Sequence, residues 1–192
     1  MNIIALTTFA INSEVIQVSL STAPSPGYTV GTATWYGPTD DQKTKNPFQA
    51  TSAGKGSGNC WYSGNSNFNE SPDPSNPYYN MYAATNSGGS EFGSGSCTGG
   101  TGALCPGQQN CGQCYNIKCN PYNSNSYSYH CNTDAVAKVM VVDACPSSTN
   151  PSCAAATNAG LNHFDISPQA LTMLTGTTES GYISIQWQRT PC

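Results

Sequence analysis

The sequence predicts an all-β domain that closes into a barrel, with one short helix and large loops. Three observations predict it. Several segments alternate apolar with polar residues or are rich in β-branched side chains. Long Gly-, Asn-, Ser- and Pro-rich stretches without periodicity separate them. No amphipathic helical pattern of useful length and no internal repeat interrupts this arrangement, which is that of a small closed β protein.

Residues 1–23 stand apart. Ile3–Ile11 is an apolar run too short to span a bilayer. Ser21-Thr22-Ala23 has the small residues of a cleavage site, yet the first basic residue is Lys43. The segment reads as a weak signal peptide or as a disordered or strand-like leader. Pro24-Ser25-Pro26-Gly27 then breaks the chain, and the domain runs over 24–192. Tyr28–Gly37 alternates and is read as a strand; residues 38–80 are read as loop. Met81-Tyr82-Ala83-Ala84 reads as a short buried turn or helix, and residues 86–110 as a second long loop. Strands are expected at 112–119, at 134–142, where the side chains are nearly all apolar, and at 183–189. A short helix is expected over Ser167–Leu174. Ser167 would cap it, and Pro168 would sit at the first helical position, where its missing N–H costs nothing.

Composition narrows the ligand. Of the 192 residues only 8% are charged, against about 25% in an average soluble domain. Aromatic residues reach 10%, which argues against disorder. Six Lys and Arg against ten Asp and Glu, with no basic run, exclude nucleic acid and anionic membranes as partners. A compact domain for a neutral ligand remains, and a monomer with no cofactor or metal is expected.

The ten cysteines all follow residue 59: Cys60, Cys97, Cys105, Cys111, Cys114, Cys119, Cys131, Cys145, Cys153 and Cys192. An even number points to up to five disulfides and to a secreted protein. Cys111-Gly112-Gln113-Cys114 has rival readings. A zinc ribbon needs a second such pair, which the sequence lacks. A thioredoxin-type motif should open a helix, but Tyr115-Asn116-Ile117-Lys118 alternates like a strand. A structural staple is favoured.

Five segments then line up in order. They are Gly31-Thr32-Ala33-Thr34-Trp35-Tyr36-Gly37, Cys111–Cys119, Val141-Val142-Asp143-Ala144-Cys145-Pro146, His163–Leu171 and Gln186–Cys192. Over about residues 28–192 the chain resembles the first domain of expansins, a six-stranded double-psi β-barrel related to barwin and to family 45 endoglucanases. The resemblance implies long disulfide-stapled loops, one or two short helices, and the bridges Cys60–Cys111, Cys114–Cys192 and Cys119–Cys131. The four remaining cysteines are paired as sequence neighbours, Cys97–Cys105 and Cys145–Cys153. The second, carbohydrate-binding domain of full-length expansins has no counterpart before Cys192.

The resemblance places Asp143 and Asp165 in an open groove, and the family 45 counterpart of Asp165 is the general acid. A raised pKa is needed for that role. Read locally, Asp165 is alternatively a cap for the following helix, and Asp143 a turn-fixing carboxylate. Inverting hydrolysis needs a second carboxylate about 6.5–9.5 Å away. At the family 45 base position this chain has Gly37 or its neighbour and no acid, an absence that expansins share; Asp40 and Asp41 follow in a loop. Thr34, Trp35 and Tyr36 are expected to bind sugar, with one of the two aromatics facing the groove. His163 is expected to face away from Asp165 as a packed or hydrogen-bonded scaffold residue, and Trp187 to lie in the core.

The function expected is that of a secreted, non-hydrolytic protein of the cell wall that binds and loosens its polysaccharide (β-glucan, cellulose or hemicellulose). A weak family-45-like glycoside hydrolase or lytic enzyme using Asp165 as acid is the alternative. A barwin- or natriuretic-peptide-like signalling or defence protein is the second.

Overall fold

A computed structural model of the chain describes residues 24–37, 47–48, 56, 58, 60, 74–86, 110–121, 130–145 and 149–192. The expectations for the leader, for Asp40 and Asp41, and for the Cys97–Cys105 bridge lie outside the described residues. Six strands are described: β1 (Thr29–Trp35), β2 (Tyr82–Asn86), β3 (Cys114–Cys119), β4 (Ala137–Cys145), β5 (Asn162–Ile166) and β6 (Ile183–Thr190). Two helices accompany them, α1 (Pro151–Asn158) and α2 (Pro168–Thr175). The strands close into a barrel in the order β1-β5-β2-β4-β3-β6. The pairs β1/β5 and β2/β4 run parallel and the other four antiparallel. Closure leaves no open sheet edge, so a small barrel satisfies its backbone without burying an unpaired strand.

Alternate side chains of the strands fill the interior. Tyr115, Phe164 and Trp187 form an aromatic cluster, with ring centroids 5.4 to 5.9 Å apart in edge-on or tilted contact. Trp187 is 1% exposed, as expected of a core residue. Its ring lies against Gly31, where an added Cβ would stand 3.0 Å from the indole and 2.7 Å from the Asn162 carbonyl oxygen. Glycine at 31 is therefore dictated by close packing between β1, β5 and β6. α2 covers the barrel with Leu171 and Leu174, both fully buried, one turn apart on one face. Ser167 caps it: its Oγ accepts from the Ala170 N–H at 3.2 Å and donates to the Asn80 carbonyl at 2.7 Å. Gly176, at φ 79°, ends the helix in the left-handed conformation that glycine adopts without a Cβ penalty.

Four disulfides lie among the described residues: Cys60–Cys111, Cys114–Cys192, Cys119–Cys131 and Cys145–Cys153. Cys111 and Cys114 thus take different partners, so Cys111-Gly112-Gln113-Cys114 is two staples and not a redox or zinc motif.

The structure corrects several element readings. Residues 82–86 are a strand, not a turn or helix, and all five are buried. A short apolar run has no distinguishing period, and here both β4 and β5 hydrogen-bond to it. β4 begins at Ala137 and not at 134, because a turn closes with the Ala135 N–H on the Asn132 carbonyl. It continues to Cys145, past the expected end, because β2 pairs with it that far. β3 starts at Cys114 after Gly112, at φ 76°. β5 and α1 were not read as elements. β5 carries the polar residues Asn162, His163 and Asp165 in a fully buried strand, and α1 is an Ala-rich segment without an apolar stripe.

Candidate functional site

The site is built by register. Thr34 of β1 pairs with Asp165 of β5, Asp165 pairs with Ala84 of β2, and Ala84 pairs with Asp143 of β4. Residues opposite one another on paired strands share a face, so Thr34, Asp165, Ala84 and Asp143 form one row across four strands. A bulge sets the last member: Ala83 pairs with Val141 but Ala84 with Asp143, so Val142 is passed over. The extra residue re-aims the strand and brings Asp143 into the row. Neighbouring strands lie about 4.8 Å apart, which places the two aspartate Cα atoms roughly 10 Å apart with only Ala84 between them.

Asp165 is 5% exposed, and its carboxylate is held on both oxygens. Oδ1 accepts from the Thr34 hydroxyl and lies 3.2 Å from His163 Nε2. Oδ2 accepts from Asn150 Nδ2 at 3.3 Å and touches Cys153 Sγ at 3.8 Å. His163 is fully buried. Its Nδ1 is 2.8 Å from Thr32 Oγ1 and its Nε2 2.9 Å from Thr34 Oγ1. Since the Thr34 proton goes to Asp165, Nε2 carries a proton toward Thr34 Oγ1 and Asp165 Oδ1, while Nδ1 is hydrogen-bonded to Thr32 Oγ1. The Tyr182 ring stacks on the imidazole at 5.9 Å.

His163 therefore faces Asp165, contrary to the sequence expectation. Positions two apart on a strand share a face, so alternation itself places the pair together. Its expected role as a hydrogen-bonded scaffold residue fits its surroundings. Asp165 does not cap α2; Ser167 does. Asp143 is half-buried, and its Oδ1 accepts from the Ala144 N–H at 2.8 Å.

Trp35 and Tyr36 both pack on the main core, and Trp35 pairs with Ile166. Tyr36 also lies against the small cluster of Ala84, Cys145 and Cys153, with its ring edge-on to Tyr82 at 5.3 Å. The Tyr36 hydroxyl is buried without a hydrogen-bond partner among the described residues. Burial above all, then the Asp143 charge, Tyr82 and the Asp165 charge, push it well above the ordinary tyrosine range. The phenol therefore stays a proton donor beside two carboxylates.

Gly37 has φ 98°, and an added Cβ would fall on the Tyr82 hydroxyl. That hydroxyl donates to the Tyr36 carbonyl at 3.3 Å. Any residue with a side chain at 37, an acid included, meets both backbone strain and the tyrosine.

Donor atoms of Cys145, Cys153 and Asp165 lie within 4.8 Å of one another. The two sulfurs are bonded to each other, so the group offers a single ligand, the carboxylate, and no thiolate. Sequence reasoning missed Thr32, Asn86 and Asn150. Asn150-Pro151 carries a readable signal, an N-cap before proline at the first helical position. Thr32 shares the parity of Thr34.

The family model described as "Lytic transglycolase", a double-psi β-barrel family, matches residues 81–187, more than half of the chain. The chain belongs to this family. The expansin-like double-psi barrel expected from the sequence is thus the fold of the domain. No curated protein matches the sequence. Among solved structures, the chain is similar to the GH45 endoglucanase EG27II in complex with cellobiose, at 18% identity and TM-score 0.49. That likeness covers 88% of this chain and 83% of the other. It is also similar to an expansin of Clavibacter michiganensis, at 18% identity and TM-score 0.44, over 85% of this chain and about half of that one. A third is cerato-platanin 3 of M. perniciosa, at 14% identity and TM-score 0.40, covering 85% and 95%.

Proposed function

We propose that the protein is a secreted, non-hydrolytic binder of a neutral β-glucan of the cell wall. The observation that carries this reading is the row Thr34–Asp165–Ala84–Asp143. It sets a hydroxyl and two carboxylates in one row in a chain with few other charges. Such groups recognise sugar hydroxyls. The glycine at 37 supports the non-hydrolytic part: the end of the first strand carries no acid, and its backbone and Tyr82 disfavour one. The disulfides support export to an oxidising compartment.

The test is sedimentation with insoluble cellulose, hemicellulose and mixed β-glucan, run beside a reducing-sugar assay on soluble β-glucans. Binding without product release, lost in Asp165→Asn, is the expected result. Sustained release abolished by the same substitution establishes the alternative. In that reading Asp165 is the acid of a lytic or hydrolytic enzyme, which the family match favours.

A further inference from the structure

Three side chains donate to Asp165, and they differ in origin. Thr34 and His163 stand on the barrel strands β1 and β5. Asn150 does not; it begins α1, outside the barrel. Its Oδ1 accepts from the backbone N–H of Ser152 at 2.9 Å and of Cys153 at 3.3 Å. Those two donors fix the amide, because a flipped group would set its NH2 against two N–H groups. Only Nδ2 is left to face Asp165 Oδ2. The end of α1 is tied down separately. Asn86 donates to Thr157 Oγ1 at 3.1 Å and to the Leu161 carbonyl at 3.2 Å, and accepts from the His163 N–H at 2.9 Å. The Cys145–Cys153 disulfide fastens the first turn of α1 to β4, two residues beyond Asp143.

We infer that Asn150 is a positioning residue for Asp165, and that α1 with its disulfide serves to hold the Oδ2 oxygen in its binding orientation. This rests on the glycan-binding reading of the site. Cap and donor are two functions of one amide, and chemistry separates them. Asn150→Ser keeps a favoured N-cap and loses the amide NH2 that reaches Asp165 Oδ2. Asn150→Asp also keeps the cap but sets a carboxylate against a carboxylate. Two acids at that distance resist ionising together and share one proton at acidic pH. The other titratable groups facing the pair are His163 on β5, Asp143 on β4 and Tyr36 beyond β1.

The experiment compares wild type, Asn150→Ser and Asn150→Asp, with β-glucan binding and thermal unfolding measured at pH 4 and pH 7. The expected loss of affinity for Asn150→Ser is about tenfold at both pH values, as for a hydrogen bond to a charged group. For Asn150→Asp the loss should be larger at pH 7 and largely recovered at pH 4. Wild-type affinity in both variants at both pH values would overturn the inference, since a residue that is only a cap predicts that outcome. If the wild type binds no β-glucan, the glycan reading fails, and unfolding alone decides. A melting temperature for Asn150→Asp that matches wild type at pH 4 and falls below it at pH 7 supports the positioning role. A gap equal at both pH values refutes it.

Discussion

Asp143 and Asp165 pair with the same residue, Ala84, from its two sides. They share a row but not an environment. Asp165 is nearly buried among three donors, while Asp143 is half-buried. Removing the charge should therefore matter far more at 165. An asparagine there offers one acceptor oxygen where three donors converge, leaving a buried donor unsatisfied. Asp165→Asn should lose about 1–3 kcal/mol of stability. Asp143→Asn should lose less, because Asp143 is only half-buried. Urea denaturation of the two variants measures the difference, and equal losses would contradict the assigned geometry.

Gly37 is held by its backbone and by Tyr82. Gly37→Asp, the substitution that would install an acid at the end of the first strand, should destabilise the fold by about 1–3 kcal/mol from the positive φ alone. Tyr82→Phe in the same chain removes the hydroxyl in the way and should restore part of the loss. Denaturant midpoints of the single and double variants test this.

Tyr36 carries a buried hydroxyl with no partner among the described residues. Tyr36→Phe should be nearly neutral or slightly stabilising at pH 7, because no hydrogen bond is given up. The variant should differ at high pH. The phenols of Tyr36, Tyr82 and Tyr28 are all raised, chiefly by burial. A raised folded-state value gives stability that is complete below the unfolded value, about 10, and is lost as pH rises through the folded one. Melting temperature should fall above about pH 10, and less steeply in Tyr36→Phe. Parallel curves for the two proteins would count against the buried phenol.

The Gly31–Trp187 contact is a packing test. Gly31→Ala should cost about 1–3 kcal/mol through overpacking against the indole and the Asn162 carbonyl. Trp187→Ala should cost about 3–5 kcal/mol through the cavity it opens among Tyr115 and Phe164. Combining Gly31→Ala with Trp187→Phe should cost less than the sum of the single losses, because the smaller ring yields to the methyl. Unfolding free energies of the four chains show whether it does.

The sequence by itself determined the chemistry available. Scarce charge and an even number of cysteines follow from composition, and four readable strands and a proline-started helix from local rules of period and capping, each visible within a dozen residues. The resemblance carried by the ordered motifs also implied one candidate set of Asp143, Asp165, Thr34, Trp35 and Tyr36. Tertiary structure alone decided how they meet. β2 and β5 are strands only because partners distant in sequence hydrogen-bond them, so their polar or short apolar stretches carried no readable period. The bulge at Ala83/Ala84 puts Asp143 beside Ala84, the pairing of β1 with β5 puts Thr34 and His163 on one oxygen of Asp165, and the start of α1 puts Asn150 on the other. Register and closure are properties of pairs of strands, and no single segment encodes them.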